Sequence, residues 1–273
     1  MIVFDGKKRA EEIASDLKKE IERKGLNNLK LAVIRVGDDP VVSTFIKQKE
    51  KYAQYLGVGF KVFSLPASLS FDQVAAEVRN ISLDVLNSGV IVQLPLPSGM
   101  PAEEILNCIP VTKDVDVLSK DAFDHFSKGK FDVLPPVVGA VREVLDAAGV
   151  NPNGRKVVLV GRGRLVGKPL GIWLRALGAE VEELGSDSSI EPVTLNADII
   201  ISGVGKPNLI KGDMIKRGAV VVDAGTSEEG GKVVGDVDRV SIGARASFFS
   251  PVPGGVGPLT VVMIFKNLLL LNL

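Results

Sequence analysis

An α/β fold in two domains, each with a mostly parallel sheet flanked by helices, is predicted by three observations. Short apolar runs alternate with amphipathic segments of helical period along both halves of the chain, which implies parallel strands joined by right-handed crossovers. That alternation stops in a polar, irregular stretch at 112–134 and then restarts, so the crossing between domains is expected there. Finally, the run 154–169 (GRKVVLVGRGRLVGKP) carries a buried strand straight into a glycine-rich turn and then a helix. Glycines 161, 163 and 167 allow a tight turn and a close backbone approach, and the first N–H groups of the following helix face an anion. The spacing is one residue longer than the commonest dinucleotide fingerprint, so a structural turn between packed elements competes with the phosphate-loop reading. With that loop, the second domain (135–252) is expected to be Rossmann-like and nucleotide-binding. The first spans 1–134 and is completed by a carboxyl-terminal helix within 253–273.

The elements follow in order. Ile13, Leu17 and Ile21 recur at helical spacing over 8–24, and 29–36 reads as a strand with an apolar centre. Helices are expected at about 41–56 and 71–86. The run 89–94 (GVIVQL) reads as a strand buried on both faces, ended by Pro95 and Pro97. After the crossing come a helix at 137–148, a strand at 156–160, a helix from 166, and strands near 180, at 198–201 and at 219–223. The apolar end, 259–273, is too short for a membrane span and carries Lys266, so it is expected to be a buried helix.

Composition narrows the function. The 273 residues are 45% hydrophobic, enough for real cores, and 33 basic residues balance 33 acidic ones. No global field favours nucleic acid or an anionic membrane, and neither is expected as a partner. A single cysteine, Cys108, excludes an intrachain disulfide and a cysteine metal cluster, and fits a reducing compartment. The amino terminus has no apolar signal core, which makes the cytoplasm the expected location. His125, the only histidine, has no partner motif, so no histidine triad and no metal site is expected.

Lys49 is the odd residue of the first half. A helix would place it on a stripe with Val42, Phe45, Ile46, Tyr52, Ala53 and Leu56. A lysine there either snorkels past a hydrophobic edge or is held in a cleft, where desolvation lowers its pKa and suits it to proton transfer. Gln93 stands near the carboxyl end of an otherwise apolar strand, where open α/β sheets expose ligand-binding groups; its amide serves either a loop or a heterocycle. Asp116, in Lys113-Asp-Val-Asp-Val117, shares a side with Asp114 if the segment is extended, and is either a solvated loop acid or a ligand group. In 250–260 (SPVPGGVGPLT), three prolines and three glycines fix the backbone ahead of the last helix, as a helix-entry turn or as a surface presenting N–H and C=O groups to a flat ligand.

These residues lie within a series of motifs: Val36-Gly-Asp-Asp-Pro40 with Lys49 downstream, Val92-Gln-Leu-Pro-Leu-Pro97, Lys113-Asp-Val-Asp116, Gly161-Arg-x-x-Leu-Val-Gly-x-Pro169, Val204-Gly-Lys-Pro207, Gly235-Asp-Val237 and Pro251-Val-Pro-Gly-Gly-Val-Gly-Pro-x-Thr260. In this order, along almost the whole chain, they resemble the bifunctional methylenetetrahydrofolate dehydrogenase and methenyltetrahydrofolate cyclohydrolase family. The resemblance implies a folate cleft between two α/β domains, with Lys49 as the central catalytic group, Gln93 as its hydrogen-bonding neighbour and Asp116 anchoring the pterin. It further implies that Phe45 and the backbone of Pro253, Gly254, Gly255 and Val256 border the folate. The dinucleotide would lie on Gly161, Arg162, Gly163, Leu165, Val166 and Gly167, with Ser186, Val204, Gly205 and Thr226 around it. A homodimer acting on tetrahydrofolate derivatives is the implied assembly.

The chain departs from the family pattern in four places. Phe45 replaces a tyrosine, Val42 a small polar residue, and Val117 a glycine, while Leu134-Pro135-Pro136-Val137 stands for Pro-Cys-Thr-Pro. Loss of hydroxyl partners around Lys49 threatens hydrolysis more than hydride transfer, so both activities are expected with the second weakened. The alternatives are a dehydrogenase without hydrolysis and a non-catalytic folate- or nucleotide-binding protein. NADP is the expected cofactor with NAD as the alternative, because the loop after Glu182 holds Glu183, Asp187 and serines 186, 188 and 189 but no arginine, leaving Arg162 to supply the charge.

Overall fold

The computed structural model describes residues 1–185 and 190–273, apart from the side chain of Val41. Its first half runs β1 (Ile2–Val3), α1 (Gly6–Lys24), β2 (Lys30–Val36), α2 (Pro40–Leu56), β3 (Gly59–Leu65), α3 (Phe71–Leu83), β4 (Gly89–Val92), α4 (Ala102–Leu106) and α5 (Lys120–Ser127). There follow α6 (Pro136–Ala147), β5 (Lys156–Val160), α7 (Gly167–Ala176), β6 (Glu180–Leu184), α8 (Glu191–Thr194), β7 (Ile199–Ser202) and β8 (Val220–Asp223). The chain ends with the hairpin β9 (Ser227–Glu229) and β10 (Lys232–Val234), then α9 (Arg239–Ile242), β11 (Phe248–Ser250) and α10 (Val256–Leu270). Two compact units result, one of Glu11–Pro136 with Val261–Leu273 and one of Met1–Ala10 with Val137–Thr260. The division falls inside α1 and α10.

In the first of these units the sheet is parallel, in the order β3-β2-β4. Leu31, Ala32, Val33 and Ile34 of the central strand are fully buried, as an apolar run with helices to cover it must be. One cover is α3, whose Val74, Ala75, Val78 and Ile81 pack against Ala32, Ile34, Val90 and Val92. Ser70 starts that helix with a reciprocal capping box to Gln73. The helix stops at Leu83 rather than 86, because Asp84 leaves the helical conformation; Leu83, Val85 and Leu86 then face outward, so their apolar character did not mark a buried turn. β3 was not anticipated from the sequence. As an edge strand it is half exposed, and its apolar residues lack a continuous run.

The chain passes between units at Pro136–Val137, two residues beyond the expected boundary and just past the stretch 112–134. That stretch contains α5, capped by Ser119 and anchored by buried Ala122 and Phe126, and it lies wholly within the first unit. Helix α10 closes this unit from the far end of the sequence. A Cβ on Gly89 would stand 2.6 Å from both Leu268 and Val115, so only glycine lets the strand, the helix and that loop meet. Asn267, 3% exposed, donates from Nδ2 to the carbonyls of Val115 (2.8 Å) and Leu134 (2.7 Å).

The other unit is built on a six-stranded sheet, parallel throughout, in the order β1-β11-β8-β7-β5-β6. Counted from β5 this is a 2-1-3-4-5 order extended by β1, so the direction of winding reverses between β5 and β7, where doubly wound sheets bind their ligands. The first residues of the chain belong here and not with 11–134: Ile2 pairs with Phe248 and Val3 with Phe249, and the Phe4 and Phe248 rings lie 5.9 Å apart. Strands of two or three residues such as β1, β9, β10 and β11 carry no readable period, which is why the sequence did not disclose them.

Asn267→Leu keeps the volume of that buried side chain but leaves two buried carbonyls without donors. The expected cost is about 2–4 kcal/mol, read as a lower urea midpoint of unfolding; unchanged stability would show that the two bonds hold nothing in place.

Candidate active site

Helix α2 presents Val42, Ile46, Lys49, Ala53 and Leu56 along its inner face, all under 9% exposed. Lys49 therefore does not snorkel. At 7% exposure its Nζ donates to Oε1 of Gln93 at 2.7 Å. Gln93 follows β4 directly; its N–H continues the ladder to the Ile34 carbonyl (2.8 Å), and its Nε2 donates to the Leu94 carbonyl (2.9 Å). With the amide nitrogen engaged by the backbone, the oxygen is left facing the lysine. Burial pushes the Lys49 ammonium down from its usual 10.5, while the charge of Asp116 opposes that fall.

Asp116 sits in a loop rather than an extended segment, so Asp114 and Asp116 are not paired on one face. The buried Asp114 carboxylate accepts from the amides of Asp116 (3.2 Å), Leu118 (2.9 Å) and Ser119 (2.7 Å), winding the chain around itself. Partly buried Asp116, within that turn, lies in electrostatic reach of Lys49. Burial pushes its carboxyl up to about 6; Lys49 opposes the rise and Asp114 adds to it. Asp114 is a functional residue that the motif reading passed over, although an aspartate opening a turn is a known sign of a side chain that binds its own loop. Val117 takes φ +57 in this turn, which explains why glycine is customary there. The left-handed conformation costs an L-residue about 1–2 kcal/mol, and burial of the valine to 2% exposure offsets a comparable amount.

Phe45, one turn before Lys49, leaves its ring 40% exposed, whereas Val42 is 3% exposed and packed. Neither offers Lys49 a hydrogen-bond partner. Pro135 and Pro136, which stand where the family pattern has cysteine and threonine, are buried and partly buried and bring no side-chain hydrogen-bonding group.

The remaining predicted residues lie in the six-stranded unit. Gly161, at the carboxyl end of β5, has φ +111, and a Cβ there would stand 2.9 Å from the Gly203 carbonyl oxygen. A Cβ on Gly167 would overlap the Gly161 carbonyl, and one on Gly203 would overlap the Val166 side chain. The loops after β5 and β7 are thus in backbone contact at the switch point, and helix α7 begins there at Gly167 without a side-chain cap. Exposed Gly163, Leu165, Gly205 and Thr226 and partly buried Val166 and Val204 surround this region. Such glycine crowding at the start of a helix without a side-chain cap fits the pyrophosphate of a dinucleotide.

Arg162 donates from Nη2 (2.8 Å) and Nε (3.3 Å) to the Glu183 carbonyl, which fixes its guanidinium at the end of β6. The Glu183 carboxylate is itself engaged by Arg175 at 2.7 Å. Ser186 falls outside the described residues. Pro253, Gly254, Gly255 and Val256 form the turn that leads into α10, where Gly6 N–H donates to the Gly254 carbonyl at 2.8 Å and a Cβ on Gly6 would overlap the Gly255 carbonyl. Sequence reasoning missed Asp223 and quoted Asp236 within Gly235-Asp-Val237 without giving it a role; both are buried beneath the loop after β7. Among the described residues no cluster of His, Cys, Asp and Glu could hold a metal ion.

Comparison with known proteins agrees with this geometry. Residues 4–116 match the catalytic domain of the tetrahydrofolate dehydrogenase/cyclohydrolase family, and 135–272 its NAD(P)-binding domain. The bifunctional protein FolD of Moorella thermoacetica is 37% identical over 270 residues, 97% of this chain and 96% of its own length, and that of Mycoplasmopsis synoviae is 38% identical, covering 98% of each. Among solved structures, the bifunctional FolD of Campylobacter jejuni superposes with a TM-score of 0.94 at 33% identity, covering 98% of this chain and 97% of its own. The Trypanosoma brucei enzyme, complexed with NADP cofactor and inhibitor, superposes with a TM-score of 0.93 at 30% identity over 99% and 96%. Two matched domains in order, nearly full-length coverage and a parallel sheet with its glycine loop at the switch point lead to one conclusion: this chain belongs to the tetrahydrofolate dehydrogenase/cyclohydrolase family.

Proposed function

We propose that this chain oxidises 5,10-methylenetetrahydrofolate to 5,10-methenyltetrahydrofolate with NADP, and hydrolyses that product to 10-formyltetrahydrofolate in one-carbon metabolism. The observation that carries the proposal is the buried Lys49 Nζ donating to Gln93 Oε1 at 2.7 Å with Asp116 in electrostatic reach. An amine desolvated in this way gives up its proton more readily than a surface lysine, which is a property of proton-transfer groups rather than of simple binding sites. This argues against a protein that binds folate without turnover.

Each residue then has a task. Asp116 as carboxylate accepts from the N–H groups of the pterin and fixes its orientation, held in place by the Asp114 turn. The glycine turn 161–167 and the loop at Val204–Gly205 would hold the dinucleotide, which would supply the acceptor for the hydride of the methylene carbon, so the protein's part in that step is mainly orientation. In hydrolysis, water adds to the methenyl carbon, and neutral Lys49 takes a proton from it. The carbinol oxygen then gives up its remaining proton and N5 gains one as the carbon–N5 bond breaks, leaving the formyl group on N10 and an N–H at N5; the proton taken by Lys49 is the one released overall. Gln93 orients the Lys49 nitrogen throughout. The cationic substrate itself favours the neutral amine.

The packed Val42 and the hydroxyl-free Phe45 leave Lys49 with Gln93 as its side-chain hydrogen-bond partner in the structure. Hydrolysis is therefore the activity weakened by these replacements. NADP is preferred over NAD on two grounds: Arg162 is anchored at the end of β6, where a ribose-binding acid would otherwise stand, and Glu183 is neutralised by Arg175. The family resemblance also supports a cytoplasmic homodimer.

The direct test is to incubate the protein with methylenetetrahydrofolate and NADP or NAD, resolving reduced cofactor, methenyl and formyl products. Formyl product above its spontaneous rate, formed faster with NADP, is expected; lack of reduction with either cofactor would end the proposal. Lys49→Met should lower hydrolysis by about 100-fold or more while reduced cofactor still forms, and intact hydrolysis in that variant would remove Lys49 from the mechanism. Phe45→Tyr should raise hydrolysis several-fold, on the order of one added hydrogen bond, with an unchanged rate arguing against a weakened second step. Because the folded Asp116 carboxyl titrates near 6 rather than near 4, kcat/KM for the methylene substrate should fall as pH drops through about 6. Asp116→Asn should abolish that acidic limb, and its persistence would assign the titration to another group.

A further inference from the structure

The loop after β7 is held by a carboxylate that no motif role explains. Asp236 is fully buried and accepts three hydrogen bonds from that loop and its strand: Ser202 Oγ (2.7 Å) and Val204 N–H (2.8 Å) at Oδ2, and Lys206 N–H (2.8 Å) at Oδ1. Gly205 lies between the two amides at φ +77, and a Cβ there would stand 3.3 Å from the Thr226 carbonyl. The same loop meets the glycine turn after β5, since a Cβ on Gly161 would lie 2.9 Å from the Gly203 carbonyl and 3.4 Å from Val204 Cγ2. Whatever fixes Val204 and Gly203 therefore fixes the second wall of the phosphate cradle.

Asp236 is itself placed by a second buried carboxylate. Asp223, at the end of β8, accepts from the amides of Gly225 (3.0 Å), Asp236 (3.1 Å) and Val237 (3.0 Å). Glycine is required on both sides of this arrangement: a Cβ on Gly225 would overlap the Asp236 carboxyl, and one on Gly235 would overlap that of Asp223. A three-link chain results, from β8 through Asp223 to residues 235–237, then through Asp236 to 202–206, and finally to the turn at Gly161.

We propose that Asp236 is a positioning residue for dinucleotide binding, holding the 203–206 loop against the Gly161 turn so that the cradle is formed before the ligand arrives. This rests on the reading that the dinucleotide phosphates lie over Gly161–Gly167. The role requires a carboxylate. An asparagine has one acceptor oxygen; turned toward Ser202 and Val204 it presents its NH2 to the Lys206 N–H, donor against donor, and that end of the loop is released. A preformed loop lowers the ordering cost of binding, so its release weakens affinity more than it slows turnover at saturation.

The test is calorimetric titration of NADP into the full chain for wild type, Ser202→Ala and Asp236→Asn. The rate of methenyl hydrolysis without dinucleotide is used to count folded, active protein in each sample. Per active protein, Kd should rise about tenfold or more in Asp236→Asn and about threefold in Ser202→Ala, with KM for NADP raised more than kcat is lowered. Kd equal to wild type in both variants, or an affinity loss that only tracks the loss of active protein, overturns the proposal. If Asp236→Asn does not fold, the milder Ser202→Ala decides by the same criterion. Failure of wild type itself to bind NADP would instead remove the reading on which the proposal rests.

Discussion

A lysine taken out of water must find an acceptor, and the first unit of this protein is arranged around that requirement. Leaving an ammonium buried and unpaired is costly enough that the group would deprotonate or the site would open. Gln93 meets the need with one oxygen, and can do so only because its own N–H is in the β-ladder and its amide nitrogen is held by the Leu94 carbonyl. The register of β2 with β4 places that residue, and the inner face of α2 places the lysine. Charge is supplied from a third direction by Asp116, whose loop is wound around Asp114 and tied to α10 through Asn267. Three segments distant in sequence thus set the protonation of one nitrogen.

The six-stranded unit solves a different problem with different means. A phosphate cradle needs backbone N–H groups close to a ligand, and close approach needs glycine. A Cβ on Gly161 or Gly203 would collide with the neighbouring loop, and one on Gly167 with the Gly161 carbonyl of its own turn. Bare glycine loops have high conformational entropy, so something must hold them. Here two buried carboxylates do so. Burial pushes Asp223 up to about 6, with Asp236 adding to the rise, even though three amides favour its ionised form. Anchoring the loop in this way carries an electrostatic cost within the fold.

Much was legible without coordinates. The period of the apolar residues located β2, α2, β4, α6, β5, β7 and β8, since a buried strand or amphipathic helix must write its environment into its sequence. Glycine spacing located the phosphate loop, and the mismatch of Lys49 with its apolar stripe singled out the central amine. The edge strand β3, the short strands β1 and β9 to β11, and helix α5 were not legible, because half-exposed or two-residue elements impose no period. Asp114, Asp223 and Asp236 were passed over for a related reason. Most of their partners are backbone amides, which every residue carries, so even where a motif contains the aspartate, as at Asp114 and Asp236, no side-chain pattern records what it binds.

By itself, the sequence determined the alternation of strands and helices, the family, and which few residue types are present to do chemistry, because these follow from local hydrophobic period and from motifs in order. Only the tertiary structure decided whether Lys49 snorkels or is sequestered, how the chain turns around Asp114, and that the first three residues complete the distant six-stranded sheet. The physical reason is the same in each case. Burial, desolvation and hydrogen-bond pairing depend on groups separated by tens to hundreds of residues, and no window along the chain contains both partners.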